Sequence, residues 1–365
     1  MKNAMQLKAL IKNIAKDKHI SAQLVMQNFM LERLLERISV SKYQQNFILK
    51  GGFLIAAMVG LDTRATMDMD ATIKGWPVNE ESVKKMFLDI CEIDLQDDVT
   101  FEFKKIGEIR EDDEYTGYRV SLSANFPPMA VPLKLDITTG DKITPREIEY
   151  RFKLLLEDRE ISVLAYNLET VMAEKLETVV SRGDQNTRPR DYYDVYILAK
   201  LQHRNVEIES LKAALDATSK KRGSTEVLKN YKNIIKVARN SDVMVKQWKT
   251  YQKDFEYAVD ISFDDVCDAV VQMMDLCMGG HETVPGPSVH CHPRSDGRCR
   301  HVRACAAFLL QGGPGRVQEA AGRCGRGAEQ DPRHQVPYAG RRLLHDGNAA
   351  GGRCGKTSVF PAGGI

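Results

Sequence analysis

Asp68 and Asp70 are two residues apart in MDMDATI (67–73), a run that alternates apolar and polar residues and reads as a strand. Side chains two apart on a strand share a face, so the two carboxylates would lie parallel at a rise of about 7 Å. Such a pair repels itself unless a cation sits between the acids, and Mg2+ takes hard oxygen donors of this kind together with substrate phosphates. Asp136 lies on the polar face of a second alternating run, LKLDI (133–137). If that strand pairs beside 67–73, three carboxylates meet and can hold two metal ions. A two-ion site stabilises both the attacking and the leaving oxygen in phosphoryl or nucleotidyl transfer.

Three other features could serve the same chemistry. Gly51 and Gly52 stand between a strand and a helix, where missing side chains let backbone N–H groups approach an anion such as a triphosphate. Lys175 falls inside the apolar stripe of Leu168, Val171, Met172 and Val179, and an inward lysine needs a carboxylate or phosphate partner. In RPRDYYD (188–194), Pro189 suits a first helical turn. There Asp191 either complements the helix dipole or faces the site and positions Lys175 or a nucleotide, with Arg188 and Arg190 on phosphates. Asp191, Asp194 and Leu198 share one helix face. Glu169, Glu174 and Glu177 fall outside the Lys175 stripe and are expected in solvent.

The elements that must hold these residues follow from periodicity. MQLKALIKNIAK and AQLVMQNFMLERLLERIS read as helices, the second capped by Ser21. A strand at 45–49, a turn at 50–52, a helix at 53–61 and the strand at 67–73 come next. A helix at 82–92 and strands at 101–109, 118–124 and 131–137 complete the middle. From about residue 160 the pattern is helical, at 168–182, 190–202, 206–218, 225–240 and 262–276. The expected class is α+β, with an N-terminal helical segment (1–44), a core (45–160) and a helical C-terminal domain (161–278).

Composition breaks near residue 278. Residues 279–365 hold 17 of the 26 glycines, 6 of the 8 histidines, 5 of the 8 cysteines and a net charge of +6, leaving the body at −4. The tail's basic residues are 11 Arg and one Lys, whereas the body favours Lys, Ile, Asn and Met. His290, Cys291, His292, Cys299, His301 and Cys305 cluster, but their spacing fits no common zinc template and reads as incidental. The tail is expected to be a disordered, foreign or out-of-frame translation. No stretch approaches the ~18 apolar residues of a membrane span, and without a leader-like apolar run the cytoplasm is expected.

The segments LKGGFL (49–54), RATMDMD (64–70), LKLDI with TTGD (133–141), ETVMAEKLETVVSR (169–182) and RPRDYYDVYIL (188–198) occur in this order. Together they resemble the AbiEii/AbiGii-type toxins of type IV toxin–antitoxin systems, within the nucleotidyltransferase superfamily. The resemblance covers roughly residues 45–200, and Gly51-Gly52 replaces the superfamily's usual Gly-Ser. It implies a DNA polymerase β-like nucleotidyltransferase core, a mixed sheet with helices, followed by the helical domain. It further implies Mg2+-dependent transfer of NMP from an NTP, GTP or CTP, to an RNA acceptor such as tRNA, blocking translation in abortive infection and phage defence. On that resemblance Asp68 and Asp70 bind metal, and Asp136 completes the metal site or acts as base. Lys175 steadies the triphosphate, and Asp191 is a further catalytic or positioning acid. Gly51, Gly52, Arg64, Thr66, Arg188 and Arg190 join Lys175 in nucleotide binding. The implied partner is a neighbouring antitoxin with a winged-helix DNA-binding domain that acts without a stable complex. Rival readings are a small-molecule nucleotidyltransferase and a non-catalytic NTP- or RNA-binding module. The spaced basic residues Lys229, Lys232, Lys236, Arg239, Lys246, Lys249 and Lys253 lean toward RNA.

The tail reading has a direct test. Sequencing the source DNA across codon 278 should show a frame or base-composition break there, and a homogeneous reading frame would exclude it.

Overall fold

Helix α1 (Ala4–Asp17) buries Leu7 and Ile11 and packs on α2 (Ala22–Val40), as the apolar spacing dictates. The computed structural model describes residues 4–109, 117–186 and 188–279. The tail expected to be foreign, Gly279 apart, lies outside the described residues. Ser21 caps α2, its hydroxyl accepting the Leu24 N–H at 3.1 Å.

Helix α2 is buried on its polar side as well as its apolar one, so each polar group there needs a partner. Arg37 forks onto Asp97 at 2.7 and 3.0 Å and donates to the Val99 carbonyl at 2.6 Å. Glu32 accepts from Arg33 at 3.0 Å and from the Leu155 N–H at 2.7 Å. The amides of Gln27 and Asn28 reach the chain that carries Asp68 (below).

Seven strands form one mixed sheet in the order β3-β4-β5-β2-β1-β7-β6. They are β1 (Phe47–Lys50), β2 (Met69–Ile73), β3 (Thr100–Ile109), β4 (Gly117–Phe126), β5 (Met129–Thr139), β6 (Ile148–Lys153) and β7 (Glu160–Ala165). The pairs β1–β7 and β2–β5 are parallel, and the others are antiparallel. Val120, Leu122, Leu133, Leu135, Ile137, Met69 and Ala71 are buried in the single core cluster that α2, α3 (Gly51–Val59) and α4 (Glu80–Cys91) complete. The architecture is α+β, as the sequence indicates.

The helical half comprises α5 (Leu168–Arg182), α6 (Pro189–Gln202), α7 (Ile208–Lys221), α8 (Thr225–Leu228), α9 (Tyr231–Arg239), α10 (Asp242–Asp254) and α11 (Phe263–Met278). The described residues gather into one compact unit. The sheet runs past the expected division at residue 160, because β7 pairs with β1 through Ile48↔Leu164.

Three local expectations change. β6 and β7 lie where the sequence reads as loop and helix entry. The helix expected over 225–240 is two, broken at Lys229 and Asn230. Helix α10 was hidden by its lysines. Its Met244, Trp248 and Tyr251 form a buried stripe, and the Trp248 indole donates to the Ile261 carbonyl at 3.0 Å. The other tryptophan, Trp76, is 38% exposed and stands edge-on to the Tyr43 ring, with centroids 5.2 Å apart.

Burial pushes the Glu32 carboxyl up to about 7, against a partial opposing pull from Arg33. Folding therefore favours the protonated acid, and that contribution is lost as pH rises from about 4.5 to about 7. Chemical denaturation at pH 5 and pH 8 should show wild type losing stability relative to Glu32→Gln at the higher pH. An equal difference at both pH values would contradict it.

Candidate active site

The strand register lays four charged residues in one row across the sheet. Lys50 of β1 is opposite Asp70 of β2, Asp70 is opposite Asp136 of β5, and Asp136 is opposite Arg119 of β4. Residues directly opposite on paired strands share a face. The order is therefore cation, acid, acid, cation. The apolar neighbours Met69, Ala71, Leu135 and Ile137 turn the other way into the core. The Asp136 strand does pair beside the Asp70 strand, and the pairing is parallel.

Asp68 precedes β2 rather than lying on it, so no ladder fixes it. Buried amides of α2 hold its loop instead. Asn28 donates to the Thr66 carbonyl at 2.7 Å, and Gln27 donates to the carbonyls of Met67 at 3.2 Å and Pro132 at 2.9 Å. The Tyr193 hydroxyl donates to the Thr63 carbonyl at 2.6 Å. Burial, then the nearby charges of Asp70 and Asp136, raise the Asp68 carboxyl above the usual range. Asp68 thus feels the charge of the other two acids.

The glycine pair opens α3 straight from the end of β1. Gly51 has φ +67°, a backbone that favours glycine, and a Cβ there would collide with the Asp70 carboxylate. A Cβ on Gly52 would crowd Arg64 and Thr66 at 3.0 and 3.1 Å. Missing side chains are thus what let Asp70 sit against the helix start, where the Gly52 N–H lies 3.4 Å from its Oδ2. Lys50, the N-cap residue of α3, gives no side-chain cap, so that long Asp70 contact is the one side-chain acceptor recorded at the helix start among the described residues. Its first amides remain a helix N-terminus of the kind that receives phosphate.

Behind this corner lies a buried ion network. Lys175 on α5 pairs with Asp191 at 2.6 Å and Asp194 at 2.9 Å, both on α6. Asp194 also accepts from Arg64 at 2.5 and 3.3 Å and is wholly buried. Burial would raise the Asp194 carboxyl, but Arg64 and Lys175 together hold it below the usual range. Burial likewise works against the Lys175 ammonium, and Asp194 and Asp191 outweigh it. Lys175 and Asp191 therefore meet, as one of the two sequence readings required. Arg64, expected on nucleotide, is 2% exposed and ties the Asp68 loop to α6 instead. The Thr66 hydroxyl is turned to the Asp68 carbonyl at 3.3 Å. Arg188 and Arg190 stand exposed at the start of α6.

Several residues here were not foreseen. Arg119 donates from Nε and Nη2 to the two oxygens of Asp136, at 2.7 and 2.6 Å. Lys50 turns to Asp141 at 2.6 Å, and Lys221 reaches the same carboxylate at 3.0 Å. Asp194 was seen on the Asp191 face but given no partner. Arg119 and Lys50 could be recognised only through strand register. The expectation that Glu169 and Glu177 are solvated fails. Glu169 is buried and accepts the Glu207 N–H at 2.9 Å, while Glu177 pairs with Arg222 at 2.5 Å. Packing of α7 over α5 covers that side.

As the side chains stand, no three His, Cys, Asp or Glu residues among those described are gathered for a metal ion. The donor chemistry nonetheless fits a divalent cation. Asp68 and Asp70 are hard oxygen donors with no ion-pair partner among the described residues, and Asp68 bears repulsion from Asp70 and Asp136 that Lys134 and Arg119 offset only in part. Asp136 fits only if it exchanges Arg119 for the ion.

Residues 33–269 match the family model described as "Nucleotidyl transferase AbiEii toxin, Type IV TA system". The protein is a nucleotidyltransferase. It belongs to the AbiEii toxin family of type IV toxin–antitoxin systems, and so has an antitoxin counterpart and an NTP substrate. No curated protein matches the chain. Among solved structures it is similar to an H. pylori protein described as a candidate nucleotidyltransferase, at 15% identity and TM-score 0.42, covering 71% of this chain and 96% of that one. It is similar also to JHP933 from Helicobacter pylori, at 15% identity and TM-score 0.41, covering 70% and 92%. An antigenic nucleotidyltransferase-like protein from Paracoccidioides brasiliensis gives 13% identity and TM-score 0.31, covering 54% and 93%. No helix among the described residues is long and apolar enough to cross a membrane.

Removing the buried charge at Asp194 leaves Arg64 and Lys175 facing a neutral group. Asp194→Asn should cost about 3–5 kcal/mol, the scale for breaking a buried pair from one side. Denaturant unfolding reads this directly, and an unchanged midpoint would show that the network does not support the fold.

Proposed function

We propose that this toxin transfers NMP from an NTP to an RNA acceptor, with tRNA the favoured class, at the corner formed by β1, β2 and β5. The observation that carries the reading is the register of Asp70 with Asp136 beside the glycine-opened start of α3. It puts acid donors and anion-binding amides within one corner, as nucleotidyl transfer requires.

In this reading Asp68 and Asp70 hold Mg2+, and Asp136 completes that site or takes the proton from the attacking hydroxyl. The ion, when bound, neutralises triphosphate charge and activates the acceptor oxygen. The first amides of α3 receive phosphate oxygens. Exposed Arg188 and Arg190 add positive charge at the rim. Lys175 meets the triphosphate from the buried side, held in place by Asp191 and Asp194. The acceptor hydroxyl attacks the α-phosphorus, the bond to the bridging oxygen breaks, and pyrophosphate leaves.

The helical half supports an RNA acceptor over a small molecule. Lys236, Lys246, Lys249 and Lys253 are exposed on α9 and α10, a basic surface suited to a polyanion. Lys229, Lys232 and Arg239 contribute less, because Glu226, Asp275 and Asp268 already pair with them. The NTP is GTP or CTP in this reading, and the antitoxin is a winged-helix DNA-binding protein.

Purified protein with Mg2+, total tRNA and each labelled NTP in turn should label the RNA, and Asp70→Ala should not. Equal labelling by both proteins would reject the assignment. Label appearing only on added small-molecule acceptors would point to the other transferase class, and binding without transfer to a non-catalytic module.

A further inference from the structure

Among the described residues, Asp136 alone of the three acids at the corner is held by a cation. Arg119 reaches it from the neighbouring strand in the forked geometry that suits a carboxylate best, one nitrogen on each oxygen. Asp70 receives nothing stronger than the Gly52 N–H at 3.4 Å. Lys50, at the other end of the charged row, is drawn away from Asp70 to Asp141. The row is therefore asymmetric, with its cation on the acids at one end only.

The forked pair has a physical consequence for any ion arriving between Asp70 and Asp136. A divalent cation on Asp136 would stand within a few ångströms of the guanidinium, and two positive charges at that distance repel. Only one of them can have the carboxylate. Arg119 is free to yield, because its side chain is 51% exposed. Releasing a half-exposed ion pair to water costs little.

We propose that Arg119 is a built-in competitor for the divalent cation: it occupies Asp136 while the metal position is unfilled and must be displaced for the ion to bind there. This deepens the function proposed above and rests on its metal site. Arg119 acts as a positioning residue. It keeps Asp136 ordered and the acids partly neutralised before the ion arrives, and it weakens ion binding when no nucleotide triphosphate is there to help draw the ion in.

The test is Mn2+ binding to the full chain without nucleotide, read as free Mn2+ by electron paramagnetic resonance. Wild type, Arg119→Gln, Asp136→Asn and the double variant are compared, with circular dichroism establishing that each is folded. Arg119→Gln should bind Mn2+ about fivefold more tightly than wild type, the scale of a half-exposed charge pair. That gain should vanish in the Asp136→Asn background. Arg119→Lys, which keeps the charge but loses the fork, should fall between and serves if the glutamine variant does not fold. A loss in Asp136→Asn with no gain in Arg119→Gln would overturn the competition while leaving the metal site standing. Absence of Mn2+ binding from wild type and Arg119→Gln alike would overturn both.

Discussion

The whole corner hangs on one buried carboxylate. Asp194 has no access to water, so it must be matched by positive charge, and it is matched twice, by Arg64 and by Lys175. Arg64 belongs to the loop that delivers Asp68, whereas Lys175 belongs to α5. A single acid on α6 therefore fastens the strand end to the helical half. Burying three ions is costly unless their geometry is mutually satisfied, and it defines the angle between elements that hydrophobic contact alone would leave loose. The α2 amides act on the same loop from the other side, through the Thr66 and Met67 carbonyls.

The second constraint is like charge. Asp70 and Asp136 lie opposite each other on parallel strands with Asp68 close by, which ordinary folding would avoid. The fold tolerates it by bracketing the acids with Arg119 and Lys50, and by leaving Gly51 without a side chain so that Asp70 reaches the helix start. Strain of this kind is kept where chemistry needs it. In the function proposed above, the acid pair that repels itself takes up a doubly charged ion and the amides at the helix start receive phosphate.

How far the sequence reveals this depends on whether the relevant interaction is local. Period-two alternation exposed β2 and β5, and 3.6-residue spacing exposed α1, α2 and α5, because those patterns are written along the chain. The Ser21 cap and the Pro189 helix start are likewise short-range signals. The spacing singled out Asp68 and Asp70 but set both on one strand, whereas Asp68 lies just before β2; Lys175 stood out as a cation in an apolar stripe. Arg119 was not, since nothing in YRVSLSA distinguishes it until β4 is laid against β5. Glu169 and Glu177 misled for the same reason. Their exposure depends on whether α7 covers α5, a fact of tertiary packing. Helix α10 was obscured by five lysines and acids on its outer face, with only three apolar residues marking its inner one.

The two tryptophans divide the molecule optically. Trp248 is sealed among the aromatic rings of Tyr251 and Phe263 in the helical half, and Trp76 stands half in water beside Tyr43 at the far end of β2. Their emission should differ in colour, blue-shifted for the first and red-shifted for the second. Replacing either with phenylalanine leaves a single tryptophan, excited apart from the tyrosines at long wavelength, on one side of the Asp194 tether. The sheet and the helices can then be watched separately, without any label, as they come apart.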